Sequence, residues 1–161
     1  MNPQESLQAE ALTLWQKGVQ RQEAEDLSAA EALYRQSIEL HPTAEAHTFL
    51  GFVLARRGHL PAAIAQCERA IAVDPEFGNP YNDIGAYLIE QDKHDEAIPW
   101  LEKAKLAVRY EPRHFPFVNL ARVYRRQGRV VAALGELIAA QELAPKDPSI
   151  PEHIAKLRRF N

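Results

Sequence analysis

Residues 50–75 read LGFVLARRGHLPAAIAQCERAIAVDP. Apolar residues recur at three- and four-residue steps on both sides of Arg57-Gly58-His59, the pattern of two amphipathic helices joined by a short turn. Gly58 stands where a first helix would end on a left-handed residue, and Pro75 closes the second. A hairpin of this kind cannot bury both its faces alone, so the next question is whether it has copies along the chain.

It has three. KGVQRQEAEDLSAAEALYRQSIELHP (17–42), IGAYLIEQDKHDEAIPWLEKAKLAVR (84–109) and LARVYRRQGRVVAALGELIAAQELAP (120–145) align with it without gaps. Gly18, Gly51, Gly85 and Ala121 then share one column, at separations of 33, 34 and 36. Ala30, Ala63, Ala97 and Ala133 share a second; Tyr34, Cys67, Leu101 and Leu137 a third; Ser37, Ala70, Ala104 and Ala140 a fourth. Pro42, Pro75 and Pro145 close three of the four units. Small residues in the first two columns let paired helices approach closely. The chain therefore resembles the tetratricopeptide repeat, a 34-residue helical pair, over about residues 11–147. The family's usual tryptophan column holds Leu14, His47, Tyr81 and Phe117 instead.

That resemblance implies an all-α fold, a right-handed α-solenoid of about four helix-turn-helix units in a single domain over 1–161. The units fall at about 11–43, 44–77, 78–113 and 114–147. First helices are expected near 3–23, 43–57, 79–91 and 115–127, and second helices near 27–40, 60–73, 94–109 and 130–143. Asn79-Pro80 reads as an N-cap followed by proline at the first helical position, and Phe115-Pro116 repeats that placement with a poorer cap. Beyond Pro148, Ile150, Ile154 and Leu157 fall on one face of a helix expected over about 149–160, which would cap the open end of the stack.

Composition narrows the function classes. Hydrophobic content of 46% and charged content of 25% are those of a packed protein. One cysteine, Cys67, excludes an internal disulfide framework and suits a reducing compartment. With no signal-peptide pattern at the N-terminus and no run of about 20 apolar residues, the expectation is a cytoplasmic protein without membrane insertion. The six histidines are scattered, no metal-ligand spacing appears, and neither a phosphate-cradling glycine loop nor a nucleophile elbow is present. No cofactor, no metal and no catalytic residue is expected. Cys67 falls in a core column and reads as a packing thiol.

Charge is polarised along the chain. Residues 1–54 hold three basic and eight acidic side chains, residues 55–108 six and nine, and residues 109–161 ten and five. Such polarity suits an acidic partner at the C-terminal end, or head-to-tail self-association. It does not suit nucleic acid, because one arginine stripe is not a broad basic surface.

In the tetratricopeptide family, first-helix side chains line a concave groove that takes a peptide. Transferring that register places Leu12, Trp15 and Val19 in unit one, and Glu45, Thr48, Phe49 and Phe52 in unit two. Unit three supplies Asn79, Asn82, Asp83, Ala86 and Glu90, and unit four Phe115, Val118, Asn119, Arg122, Arg125 and Arg126. The candidate groove residues are Trp15, Thr48, Phe52, Asn79, Asn82, Asp83, Ala86, Phe115, Asn119, Arg122, Arg125 and Arg126. An asparagine offers a donor and an acceptor, so Asn82 and Asn119 suit the backbone of an extended peptide, although Asn82 and Asp83 equally suit the first turn of a helix. Arg122, Arg125, Arg126 and Arg129 share one helical face, where guanidinium forks match carboxylates. They also complement a helix C-terminus, and the column Glu23, Arg56, Glu90, Arg126 would allow stacked first helices to lace through alternating charges. The lysine–asparagine clamp by which some family members hold acidic chaperone tails fits no frame of this sequence.

The leading expectation is a non-catalytic adaptor or scaffold that binds a peptide segment of another protein. The alternatives are a secretion-type chaperone shielding an apolar client segment and, less favoured, an enzyme assembled across a homo-oligomer. Residues 108–117, VRYEPRHFPF, break the beat: the step from Gly85 to Ala121 is two residues too long, and Arg109 stands where the other units have proline. Pro112 pushes Glu111 out of helical geometry, so the second helix of unit three is expected to run on past Arg109 to that point. Tyr110, Arg113 and His114 are left over, as parts of a lengthened hinge or of a binding loop.

Overall fold

The computed structural model describes residues 1–159; Phe160, included in the expected capping helix, lies outside the described residues. Among the described residues nine α-helices follow one another: α1 (Pro3–Glu23), α2 (Leu27–Leu40), α3 (Ala44–Arg56), α4 (Leu60–Val73), α5 (Asn79–Glu90), α6 (His94–Leu106), α7 (Phe115–Arg126), α8 (Val130–Leu143) and α9 (Ser149–Arg158). They form an α-solenoid. From α1 to α8 each odd-numbered helix pairs with the next, each pair packs on its neighbour, and α9 packs on α8. First helices also touch across pairs, α3 with α5 and α5 with α7, whereas the second helices make no comparable approach. The stack therefore curves with its first helices on the inner side.

The small-residue column sets how closely each pair closes. A Cβ added at Gly85 would lie 2.4 Å from Leu101 Cδ2, so only glycine admits that buried leucine. Tyr34 and Leu101 pack on the glycines of their own pairs, and with Leu50, Leu120 and Leu137 they are almost fully buried; each contributes on the order of 1.5–3 kcal/mol. Left-handed residues make equivalent turns inside all four units: Glu25 (φ 59°), Gly58 (87°), Asp92 (61°) and Gly128 (72°). Ile150, Ile154 and Leu157 of α9 are buried with Ala133, Leu137 and Ala140, so α9 covers the last pair as expected.

Two local expectations are corrected. Gly78, not Asn79, is the N-cap of α5, and His114 caps α7; neither supplies a capping side-chain bond, and Pro80 and Pro116 sit one place further in. Asn79 is instead held outward, its Nδ2 donating to the Glu111 carbonyl at 3.2 Å.

The second correction is the end of α6. It stops at Leu106, and Ala107 turns to extended backbone (φ −64°, ψ 138°). A competing set of backbone bonds explains this. The Gly78 N–H donates to the Arg109 carbonyl at 2.7 Å, and the Arg109 N–H donates to the Glu76 carbonyl at 3.0 Å, forming a parallel bridge between Phe77 and Arg109. Tyr110 is buried beneath Gly78, where an added Cβ would lie 2.7 Å from the Tyr110 Cβ. The Arg109 guanidinium reaches Asp74 at 2.5 Å and Glu45 at 3.3 Å, and lies 4.9 Å from the Phe77 ring centre. Arg113 donates to the Ala107 and Val108 carbonyls, which the broken helix leaves unpaired, and His114 meets Asp147 at 3.1 Å. All three left-over side chains thus seat the longer hinge.

Arg109→Pro restores the residue that closes the other units, yet it removes the N–H given to Glu76. We expect urea unfolding to show a loss of about 1–3 kcal/mol. Arg109→Ala, which keeps both backbone bonds, should lose less.

Candidate functional site

The inner face changes character along its length. At its N-terminal end Trp15 is half-buried, edge-on to Phe49 with ring centres 5.3 Å apart, while Leu12 and Phe52 remain exposed. Leu12 and Trp15 line a pocket of about 240 Å³ with Ala11, Ser37 and Thr43. This end is mainly apolar. The Thr48 hydroxyl is buried and donates to the Ala44 carbonyl of its own helix at 2.7 Å, so it offers packing surface and no free hydrogen bond.

The middle is polar and internally bonded. Asn82 is buried, and its Oδ1 accepts from Asn119 Nδ2 at 3.0 Å. Asn119 Oδ1 in turn accepts from Arg122 Nη1 at 3.0 Å. The two asparagines therefore join α5 to α7 and orient Arg122, leaving less capacity for a peptide backbone than two free amides would have. Asp83, half-buried next to Asn82, has no cationic partner among the described residues; burial pushes its carboxyl up to about 7, the Asn82 side chain opposing. The groups that feel its charge are the Cys67 thiol and the Tyr87 and Tyr110 hydroxyls, each itself held protonated by burial. Ala86 is half-buried on the same helix as Asp83.

The C-terminal end is cationic. Arg122, Arg125 and Arg126 are exposed and line a depression of about 280 Å³ with Ile89, Glu90 and Asp92. The charge ladder expected down the first helices does not form: Arg56 pairs with Glu25 at 2.8 Å, and Glu90 makes no ion pair with Arg126. None of the three arginines is within 4.0 Å of a carboxylate among the described residues. Their charge is thus available to a partner. Phe115 is exposed, stacked edge-on against His114 at 4.6 Å.

The model of the tetratricopeptide repeat matches residues 16–81 and 54–112, together more than half of the sequence. The chain belongs to the tetratricopeptide repeat family. A curated relative, the small glutamine-rich tetratricopeptide repeat-containing protein 2 of Mycosarcoma maydis, is 28% identical over 96 residues, 59% of this chain. The chain spans only 27% of that relative's length. Among solved structures, PilF of Pseudomonas aeruginosa superposes with a TM-score of 0.86 at 23% identity, covering 97% of this chain and 69% of PilF. PilW, a widely conserved type IV pilus biogenesis factor, gives 0.85 at 16% identity over 93% of this chain and 69% of its own. YrrB, a tetratricopeptide protein with an unusual peptide-binding site, gives 0.68 at 19% identity over 93% and 77%. At these identities the likeness is one of fold.

Extending the tetratricopeptide register by one further 34-residue step from Ala121 reaches Ala155, inside α9. His153 and Lys156 then occupy the positions held in α7 by Asn119 and Arg122. Reading α9 only as a cap hid them, although the step itself was legible. His153 is half-buried and lines a narrow cleft with Arg122 and Arg125.

Proposed function

We propose that this tetratricopeptide domain is a non-catalytic adaptor that binds a peptide segment of a partner along its inner face, with the segment's acidic residues at the Arg122–Arg125–Arg126 end. The observation that carries this reading is three exposed arginines on one helical turn region, unpaired among the described residues, beside a depression wide enough for a side chain. Guanidinium groups left without internal carboxylates keep their bidentate capacity for a ligand. Leu12, Trp15 and Phe52 supply apolar contact at the other end, and the Asn82–Asn119 pair stiffens the middle. Fold resemblance to YrrB and PilF is consistent with an interaction module, and the residues of this chain define the chemistry.

The test is fluorescence anisotropy with a labelled peptide carrying leucine and phenylalanine at one end and four glutamates at the other. We expect replacement of the glutamates by glutamine to weaken binding at least tenfold, and wild-type affinity to fall as salt rises. Equal binding of both peptides would remove the acidic segment from the account.

A further inference from the structure

We propose that α9 is a fifth helix of the binding face, and that His153, together with Arg122 and Arg125 across the α7–α9 cleft, holds a carboxylate of the bound acidic segment as an imidazolium. The inference rests on the reading that such a segment docks at the arginine end. The cleft is only about 10 Å³, room for one water, over an apolar lining of Val118, Ala121 and Leu157, so the carboxylate sits at its mouth, where the polar groups are Arg122, Arg125 and His153. Arg122 and Arg125 also line the wider depression toward α5, so the cleft and the depression are consecutive stations on one face. A segment with two acidic residues thus meets two oxyanion positions, and the second requires α9.

His153 is surrounded by groups of known sign. Lys156 and Glu152 face it from α9, Arg122 and Arg125 from α7, and α8 contributes Leu137, which is apolar. Burial first, then Lys156, Arg125 and Arg122, holds the imidazole below the usual histidine range, with Glu152 opposing. Without a ligand it is therefore neutral at pH 7. A carboxylate placed at the mouth of the cleft favours the charged ring and reverses that balance. Binding then takes up a proton, and affinity is greatest below the ligand-free titration point and declines as pH rises through that of the complex. Asp83 titrates further along the face and acts in the same direction, because its ionised form repels an acidic segment.

The experiment uses the full chain, a fluorescein-labelled hexaglutamate peptide and anisotropy at pH 5.5 and 8.0 at fixed ionic strength, all in an Asp83→Asn background that silences that carboxyl. We expect binding about tenfold tighter at pH 5.5, corresponding to a shift of about one unit on His153. Adding His153→Gln should bring that ratio below about twofold. Imidazole NMR titration of the unsubstituted protein, which needs no variant to fold, should show the His153 resonance titrating at higher pH with peptide bound. A ratio unchanged by His153→Gln, or a His153 titration that peptide does not move, overturns the proposal. If binding is equal at both pH values and disappears on reversing Arg122 and Arg125, the proposal falls while the arginine-end reading stands. If hexaglutamate fails to bind at either pH, the arginine-end reading falls and takes this proposal with it.

Discussion

Asp83→Asn should raise the unfolding free energy by about 2–4 kcal/mol at pH 8 and by much less at pH 5. The carboxyl is held at about 7 in the folded chain, chiefly by burial, against about 3.9 when unfolded. Between those values the folded state binds a proton that the unfolded state has released. The stability contribution of Asp83 is therefore most favourable below about pH 4, declines as pH rises, and levels off above about 7. Asparagine has the same shape and no charge to desolvate, so the gain grows over the same window. Urea unfolding of both proteins at pH 5 and pH 8 measures it. A variant no more stable than wild type at pH 8 would show that Asp83 is effectively solvated. A carboxyl that costs stability, placed without a cation on the inner face, is also a place where a ligand N–H could be received.

The second large effect concerns binding. Reversing two charges, Arg122→Glu with Arg125→Glu, should weaken capture of the acidic peptide at least 100-fold, about 2.7 kcal/mol. Two attractive contacts become repulsive, and Glu90, which has no ion pair among the described residues, then adds to the repulsion from across the depression. Both arginines are exposed, so the folded state should lose little beyond the helix-end complement of about 0.3–1 kcal/mol. Circular dichroism and the unfolding midpoint check that the fold survives. A loss below threefold with the fold intact would take the anion contact away from these residues.

The repeat columns made the solenoid legible because each records a steric demand: Gly85 admits Leu101, Gly58 and Gly128 turn left-handed, and Ile150, Ile154 and Leu157 share one buried face. The hinge was only half legible. Its extra length showed in the spacing, but helical periodicity carried no sign of the long-range pairing between Arg109 and residues 76–78 that ends α6 at Leu106. Much the same holds for the candidate site. Register put Asn82, Asn119 and Arg122 on one face, yet their mutual bonds depend on how closely α5 and α7 approach, which no column states. Asp83 was visible as a polar residue, whereas its burial without a counter-charge follows from three neighbours, Cys67, Tyr87 and Tyr110, spread over 44 positions of sequence.

The most direct test of the central claim is amide chemical-shift mapping with the acidic peptide on isotopically labelled full chain. The account predicts perturbations concentrated on the inner face of α5, α7 and α9, around Asn119, Arg122, Arg125 and His153, with the outer face of α4, α6 and α8 unmoved. Perturbations centred instead on the outer helices, or on exposed Leu106 and Val108 at the hinge, would contradict it.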